Sequence, residues 1–146
     1  MKPEFRELRL TQLDRNLESF AGTHSVSRPK RGWLRAVREA LGITIREVAR
    51  NMRKTPQTVA SFEKSEETHR ITLQTLRRYA EAMECELVYA IVPKAGSLKQ
   101  LAENWARKRA ESDVLAVEHT MALEDQATTG IQDKIGRETQ RILNKR

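Results

Sequence analysis

A single cysteine, Cys85, stands in a chain of 146 residues. One thiol closes no internal disulfide, and no Cys/His pairing has the spacing of a zinc site. The three histidines, His24, His69 and His119, are scattered and tied by no motif to a nucleophile. Neither a reaction, a metal nor a cofactor is therefore expected, and the protein reads as a binding protein, not an enzyme. No apolar run approaches the roughly 20 residues of a membrane span, and MKPEFRELRL carries no apolar signal core. No membrane partner is expected, and a reducing cytoplasm fits best. Internal repeats and low-complexity tracts are missing too.

What is present is positive charge. Lys and Arg number 27 against 20 Asp and Glu, a formal net charge of +7. A basic balance of this size favours an anionic partner.

Hydrophobic periodicity divides the chain. Leu10, Leu13, Leu17 and Phe20 recur at helical spacing, so Arg6 to Phe20 reads as an amphipathic helix. The stretch AGTHSVSRPKR, from Ala21 to Arg31, reads as a loop closed by basic residues, of which Pro29, Lys30 and Arg31 would suit an arm on a duplex. Trp33 to Met83 reads as helices with short interruptions. Cys85 to Val92 is rich in β-branched and aromatic residues and ends at Pro93, the composition of a short strand; a buried helix is the alternative. Both faces of such a strand are apolar, and no second strand is legible, so its simplest partner is the same strand of a second copy, giving a homodimer. Ser97 can cap a further helix running to about Gln126. Leu98, Leu101, Trp105 and Leu115 mark one stripe of that helix, and Ala102, Ala106, Ala110, Val114, Val117 and Met121 mark another. Thr128 to Arg146 is weakened by Gly130 and Gly136 and reads either as a marginal helix or as a tail that orders on binding. The expected segments are 1–31, a helix and basic linker; 32–84, a DNA-binding domain; 85–93, a dimerising strand; and 94–146, a helical partner-binding region.

The segment 32–66 is the most specific. Leu34, Val37 and Leu41 would bury one face of a helix that Gly42 ends. Thr44 can cap the next helix, whose Ile45, Val48, Ala49 and Met52 form an i, i+3, i+4, i+7 face. Small Ala49 lets a following helix cross closely. Arg53 and Lys54 make a turn, Thr55 caps the last helix, and Pro56 takes its first position, where a missing N–H is harmless. Val59 and Phe62 point back to the core, leaving Gln57, Thr58, Ser61 and Lys64 outside.

This pattern, from about Gly32 to Met83, resembles the Cro/lambda-repressor type of helix-turn-helix. It implies a mainly α fold: a lambda-repressor-like domain with an N-terminal helix, the one short strand and a C-terminal helical extension. Where that family usually has Gly in the turn, with positive φ, this chain has Arg53. The resemblance sends the recognition helix into the major groove of double-stranded DNA. Gln57, Thr58 and Ser61 would then contact bases, Gln57 by pairing with adenine N6 and N7. Thr44, Arg46, Arg53, Lys54, Thr55, Lys64 and Arg70 would lie near phosphates. With a two-fold dimer, the operator is expected to be palindromic.

The strings RLTQLDRNL, RPKRGWLRAVREALGIT, TLRRYAEAMECELVYAIVP and EHTMALEDQ resemble the family called mobile mystery protein A, over about Leu8 to Gln126. Members of that family occur beside a Fic-domain protein, and Fic enzymes transfer AMP from ATP to hydroxyl groups. The resemblance implies an antitoxin that represses its own operon and inhibits a Fic-type toxin. Fic inhibitors resemble one another in a helix with Ser/Thr, three residues, Glu, then Gly/Asn. Thr120 and Glu124 match at i, i+4, whereas Asp125 departs from the pattern. Glu124 would pair with an Arg of the Fic site; its alternative is an ordinary solvated helix position. A stand-alone dimeric regulator of a mobile element is the other functional reading.

Overall fold

Helices make up most of a computed structural model of the chain, which describes residues 2–123 and 130–145. The helices are α1 (Pro3–Leu17), α2 (Trp33–Ala40), α3 (Ile45–Met52), α4 (Pro56–Glu67), α5 (Leu73–Ala82), α6 (Leu98–Leu123) and α7 (Ile131–Lys145). They fall into two units, Gly22–Tyr89 and Met1–Ala21 with Ala90–Arg146. The loop expected over residues 21–31 begins as a 3-10 helix, Glu18–Ser25, that continues α1.

In the unit Gly22–Tyr89, each of α3, α4 and α5 starts at a threonine. The hydroxyls of Thr44, Thr55 and Thr72 accept from the N–H three residues on, at 3.2, 3.2 and 3.1 Å. Such caps satisfy one of the donors a helix start leaves open, each at about 1 kcal/mol. The helices also stop alike. After α2, Gly42 is left-handed (φ 69°), with Gly42 N–H donating to Glu39 O and Ile43 N–H to Arg38 O. The same pair of bonds closes α3 at Arg53, α4 at His69 and α5 at Glu84, with φ of 54°, 58° and 58°. Three of these four stops lack glycine, and each carries left-handed strain of roughly 1 kcal/mol.

The core of this unit holds Leu34, Val48, Ala49, Val59, Tyr79 and Met83, with Val37, Ile45, Met52 and Phe62 packed on it. Val48 and Val59 are fully buried, each side chain contributing about 1.5–3 kcal/mol. Leu41, expected inside, is 54 % exposed: it sits at the C-cap of α2, where the chain turns away from the core.

A carboxylate lies buried beside this core. Glu63 of α4 accepts from Arg38 Nε at 2.5 Å and from the buried Tyr79 hydroxyl, while Arg38 Nη1 donates to Ile43 O at 3.1 Å. The network joins α2, α4 and α5. Burial pushes the Glu63 carboxyl up, but the hydrogen bonds and charge of Arg38, with the Tyr79 hydroxyl, outweigh it and leave its pKa below the ordinary carboxylate value. Burial first, and then Glu63, push the Tyr79 hydroxyl well above its usual range.

Residues 85–93 form neither strand nor helix. The strand expected there has no partner among the described residues, and a ladder exists only where a second row of N–H and C=O groups faces the first. Val88, Tyr89 and Ile91 are exposed.

In the other unit, Ser97 and Gln100 form a reciprocal cap at the start of α6. Asp14 of α1 accepts from the N–H groups of Leu98 and Lys99 at 2.8 and 3.2 Å. Residues 131–145, open in the sequence between helix and tail, are helical. Ile135 and Ile142 of α7 bury themselves with Ala106 and Ala110 of α6. Ala106, Ala110 and Val114 of one α6 stripe are thus covered, while Val117 of that stripe and Leu101, Trp105 and Leu115 of the other stay exposed.

The buried network yields a prediction. Glu63→Gln leaves Arg38 without its counter-charge and is expected to cost about 3–5 kcal/mol, and Tyr79→Phe about 1–3 kcal/mol. Because the folded pKa of Glu63 lies below its unfolded value, its stabilisation is complete above the unfolded value and is lost as pH falls through the folded one. Urea denaturation over an acid pH series is expected to show the difference between wild type and Glu63→Gln shrinking toward low pH; a pH-independent difference contradicts the assignment.

Candidate nucleic-acid interface

The turn between α3 and α4 is three residues, Arg53, Lys54 and Thr55, and all are exposed. Arg53 is left-handed, and the N–H of Lys54 returns to Ala49 O at 2.9 Å. This closes α3 tightly and starts α4 almost at once. Ala49, 2 % exposed, has only a methyl group at the crossing of the two helices.

Thr55 takes the N–H of Thr58, and Pro56 has none to satisfy, so the N–H of Gln57 is the open donor at the start of α4. The Gln57 side chain is exposed. Helix dipole, open donor and a bidentate amide coincide at this tip, which suits an anionic, hydrogen-bonding surface. The neighbouring hydroxyls are more committed. Thr58 is half-buried and shares a 2.8 Å hydrogen bond with the Thr55 hydroxyl. Ser61 is exposed, but its hydroxyl donates back to Thr58 O at 2.6 Å. Both can still accept a hydrogen bond or offer a small apolar contact; Gln57 alone keeps its full capacity.

The expected phosphate contacts divide between the two ends of α4. Arg53, Lys54 and Thr55 stand at its start. Lys64 stands toward its far end, about 12 Å of helix from Pro56, and Arg70 follows the end of the helix at Glu67. Lys64 is exposed and 3.4 Å from Glu67. Arg70 follows the left-handed His69 and is exposed. Arg46 is exposed on the first turn of α3. Thr44 is differently engaged: it accepts from Glu47 N–H while its own N–H and hydroxyl donate to Glu47 Oε2 at 2.7 and 2.8 Å. Those bonds, the backbone one foremost, hold the Glu47 carboxyl below its ordinary pKa. The positive end of α3 is therefore answered from within the chain.

Sequence reasoning missed the N-terminal end of α2. Gly32 precedes it with φ 91° and no capping side chain. The cap comes from α4: Glu66, 6 % exposed, accepts from the N–H groups of Trp33 and Leu34 at 2.8 and 2.9 Å. Arg28 donates to Glu66 O at 2.6 Å. The available signal was a helix that begins after Gly, with no Ser, Thr, Asp or Asn in place. Among the described residues no group of His, Cys, Asp and Glu converges as metal ligands would, and no helix is long and apolar enough to cross a membrane.

Comparison with known proteins agrees with this geometry. A helix-turn-helix family model matches residues 34–89, and a helix-turn-helix domain is present there. No curated protein matches the chain, and no solved structure does.

Arg53 separates fold from binding. Arg53→Gly is expected to relieve left-handed strain and stabilise the domain by up to ~1 kcal/mol while weakening binding to duplex DNA. Thermal melts and fluorescence anisotropy on the same variant check both; tighter DNA binding would exclude Arg53 from the interface.

Proposed function

We propose that the protein is a sequence-specific transcriptional repressor that binds a palindromic operator in double-stranded DNA as a homodimer. The helix-turn-helix domain suggests a DNA-binding transcription regulator. The observation that carries the reading is the exposed Gln57 on the first turn of a capped helix, directly after Arg53 and Lys54. Gln57 reads a base edge, with Thr58 and Ser61 beside it offering methyl and hydroxyl contacts. Arg46, Arg53, Lys54, Lys64 and Arg70 meet phosphates; Thr55 leaves the Gln57 N–H open beside them, while Thr44 is occupied by its reciprocal cap with Glu47. The exposed Val88, Tyr89 and Ile91 support dimerisation: a second copy supplies the missing strand partner and covers these side chains.

The second part of the proposal is an antitoxin role toward a Fic-type AMP-transferring toxin, with repression of the shared operon. Its support is the family resemblance of the sequence, together with the exposed Trp105, Leu115 and Val117 along α6, which suit a protein partner. Thr120 lies exposed on α6, its hydroxyl donating to Ala116 O at 3.1 Å. Glu124 and Asp125 lie outside the described residues. The protein acts by binding and performs no reaction of its own.

Two measurements test these readings. Selection from a random duplex library with Gln57→Ala/Ser61→Ala is expected to return a different preferred sequence from wild type, each lost base contact being worth about 1–3 kcal/mol; an unchanged preference removes the proposed readout. With a co-expressed Fic partner, Glu124→Ala is expected to restore AMP transfer while the complex still forms. Full inhibition by that variant removes the motif assignment, and lack of inhibition by wild type leaves a stand-alone regulator.

A further inference from the structure

Lys30 and Arg31 occupy the two corners of a tight turn. Gly32 N–H closes it onto Pro29 O at 3.0 Å, and both cationic side chains are exposed. Both flanks of the turn are fastened to the last turn of the recognition helix. On one side Arg28 donates to the Glu66 carbonyl at 2.6 Å. On the other, the Glu66 carboxylate accepts from Trp33 N–H and Leu34 N–H. The fastening is close: a Cβ at Gly32 would meet Glu66 Oε2 at 2.5 Å, on a backbone already at φ 91°. No ion pair among the described residues uses Lys30 or Arg31. The Glu66 carboxylate accepts from the α2 N–H groups, whose positive dipole offsets its charge. Arg70 leaves the same end of α4, its N–H bonded to Ser65 O at 2.8 Å.

The geometry points to a second DNA-contacting element. Residues 28–32 are a pre-ordered strap whose Lys30 and Arg31 meet phosphates flanking the half-site, and Glu66 is the positioning residue that fixes the strap to α4. The inference rests on the DNA-binding reading above and deepens it by extending each protomer's contact past the recognition helix. A flexible basic arm would lose its freedom on every encounter with DNA. A turn held at both flanks has lost it on folding, so its two charges arrive in place.

The experiment uses the full chain and duplexes that the wild type enriches from a random library, titrated across a salt series. Lys30→Ala/Arg31→Ala is expected to keep the enriched sequence and the thermal midpoint. Its salt slope is expected to become shallower by two contacts, ~0.9 each. Glu66→Ala is expected to bind the same duplex more weakly although both cations remain, and Glu66→Gln, which keeps one acceptor, to recover part of that loss. Removing an acidic residue by itself favours DNA binding, so a fall in affinity reports positioning and not charge. An unchanged slope for Lys30→Ala/Arg31→Ala overturns the strap. A lower thermal midpoint with unchanged affinity for Glu66→Ala makes Glu66 a helix cap only. A wild type that enriches no sequence removes the DNA reading and the strap with it, an outcome visible before any variant is made.

Discussion

The carboxylate of Glu63 has to be answered inside the protein, and the domain's geometry follows from how that is done. An unpaired charge at this depth would be prohibitively costly. Arg38 comes from α2 and Tyr79 from α5, and both reach the same oxygen of a residue on α4. Three helices are thereby held to one arrangement by directional bonds, where apolar contacts alone would tolerate sliding. One turn further along α4, Glu66 repeats the idea by capping α2 with its carboxylate. The recognition helix is thus fixed along the face it turns inward. Its outward face stays free of such obligations, which is the condition for presenting Gln57 at a defined angle.

The stops between helices complete that arrangement. All four use the same pair of hydrogen bonds, yet only Gly42 is a glycine. At Arg53 the backbone carries strain that glycine would avoid, and the side chain it retains is a cation beside the tip of α4. Stability and charge therefore pull in opposite directions at that position, and the presence of arginine is what a nucleic-acid surface would favour.

Much of this domain was legible in sequence because its signals are local. Thr44 and Thr55 announce caps, the i, i+3, i+4, i+7 set from Ile45 to Met52 announces a face, and Pro56 announces a first turn. The residues that lock the helices together were not legible. Glu63 and Glu66 look like ordinary solvated positions on an exposed helix, and only the approach of Arg38, Tyr79 and the α2 N–H groups, distant in sequence, reveals their role. Leu41 failed for a related reason: periodicity continued through it, while Gly42 turned the chain away. Residues 85–93 have strand composition and no strand, because composition cannot supply a partner. In the second unit, the Ala stripe of α6 was readable, but α7 depends on Ile135 and Ile142 finding that stripe, and two glycines in the segment masked it. In the candidate interface, exposure of Gln57 and the turn cations followed from sequence, whereas the engagement of Thr44 with Glu47 and of Ser61 with Thr58 O did not.

The central claim is that this surface reads a DNA sequence through two copies of α4. The most direct measurement is enrichment of a random duplex library by the wild-type chain, with the stoichiometry of the selected complex determined by analytical ultracentrifugation. The account predicts one motif made of two inverted half-sites about 34 Å, one helical turn, apart, bound by two chains. Recovery of duplexes with no shared sequence, or of a single half-site bound by one chain, would contradict it.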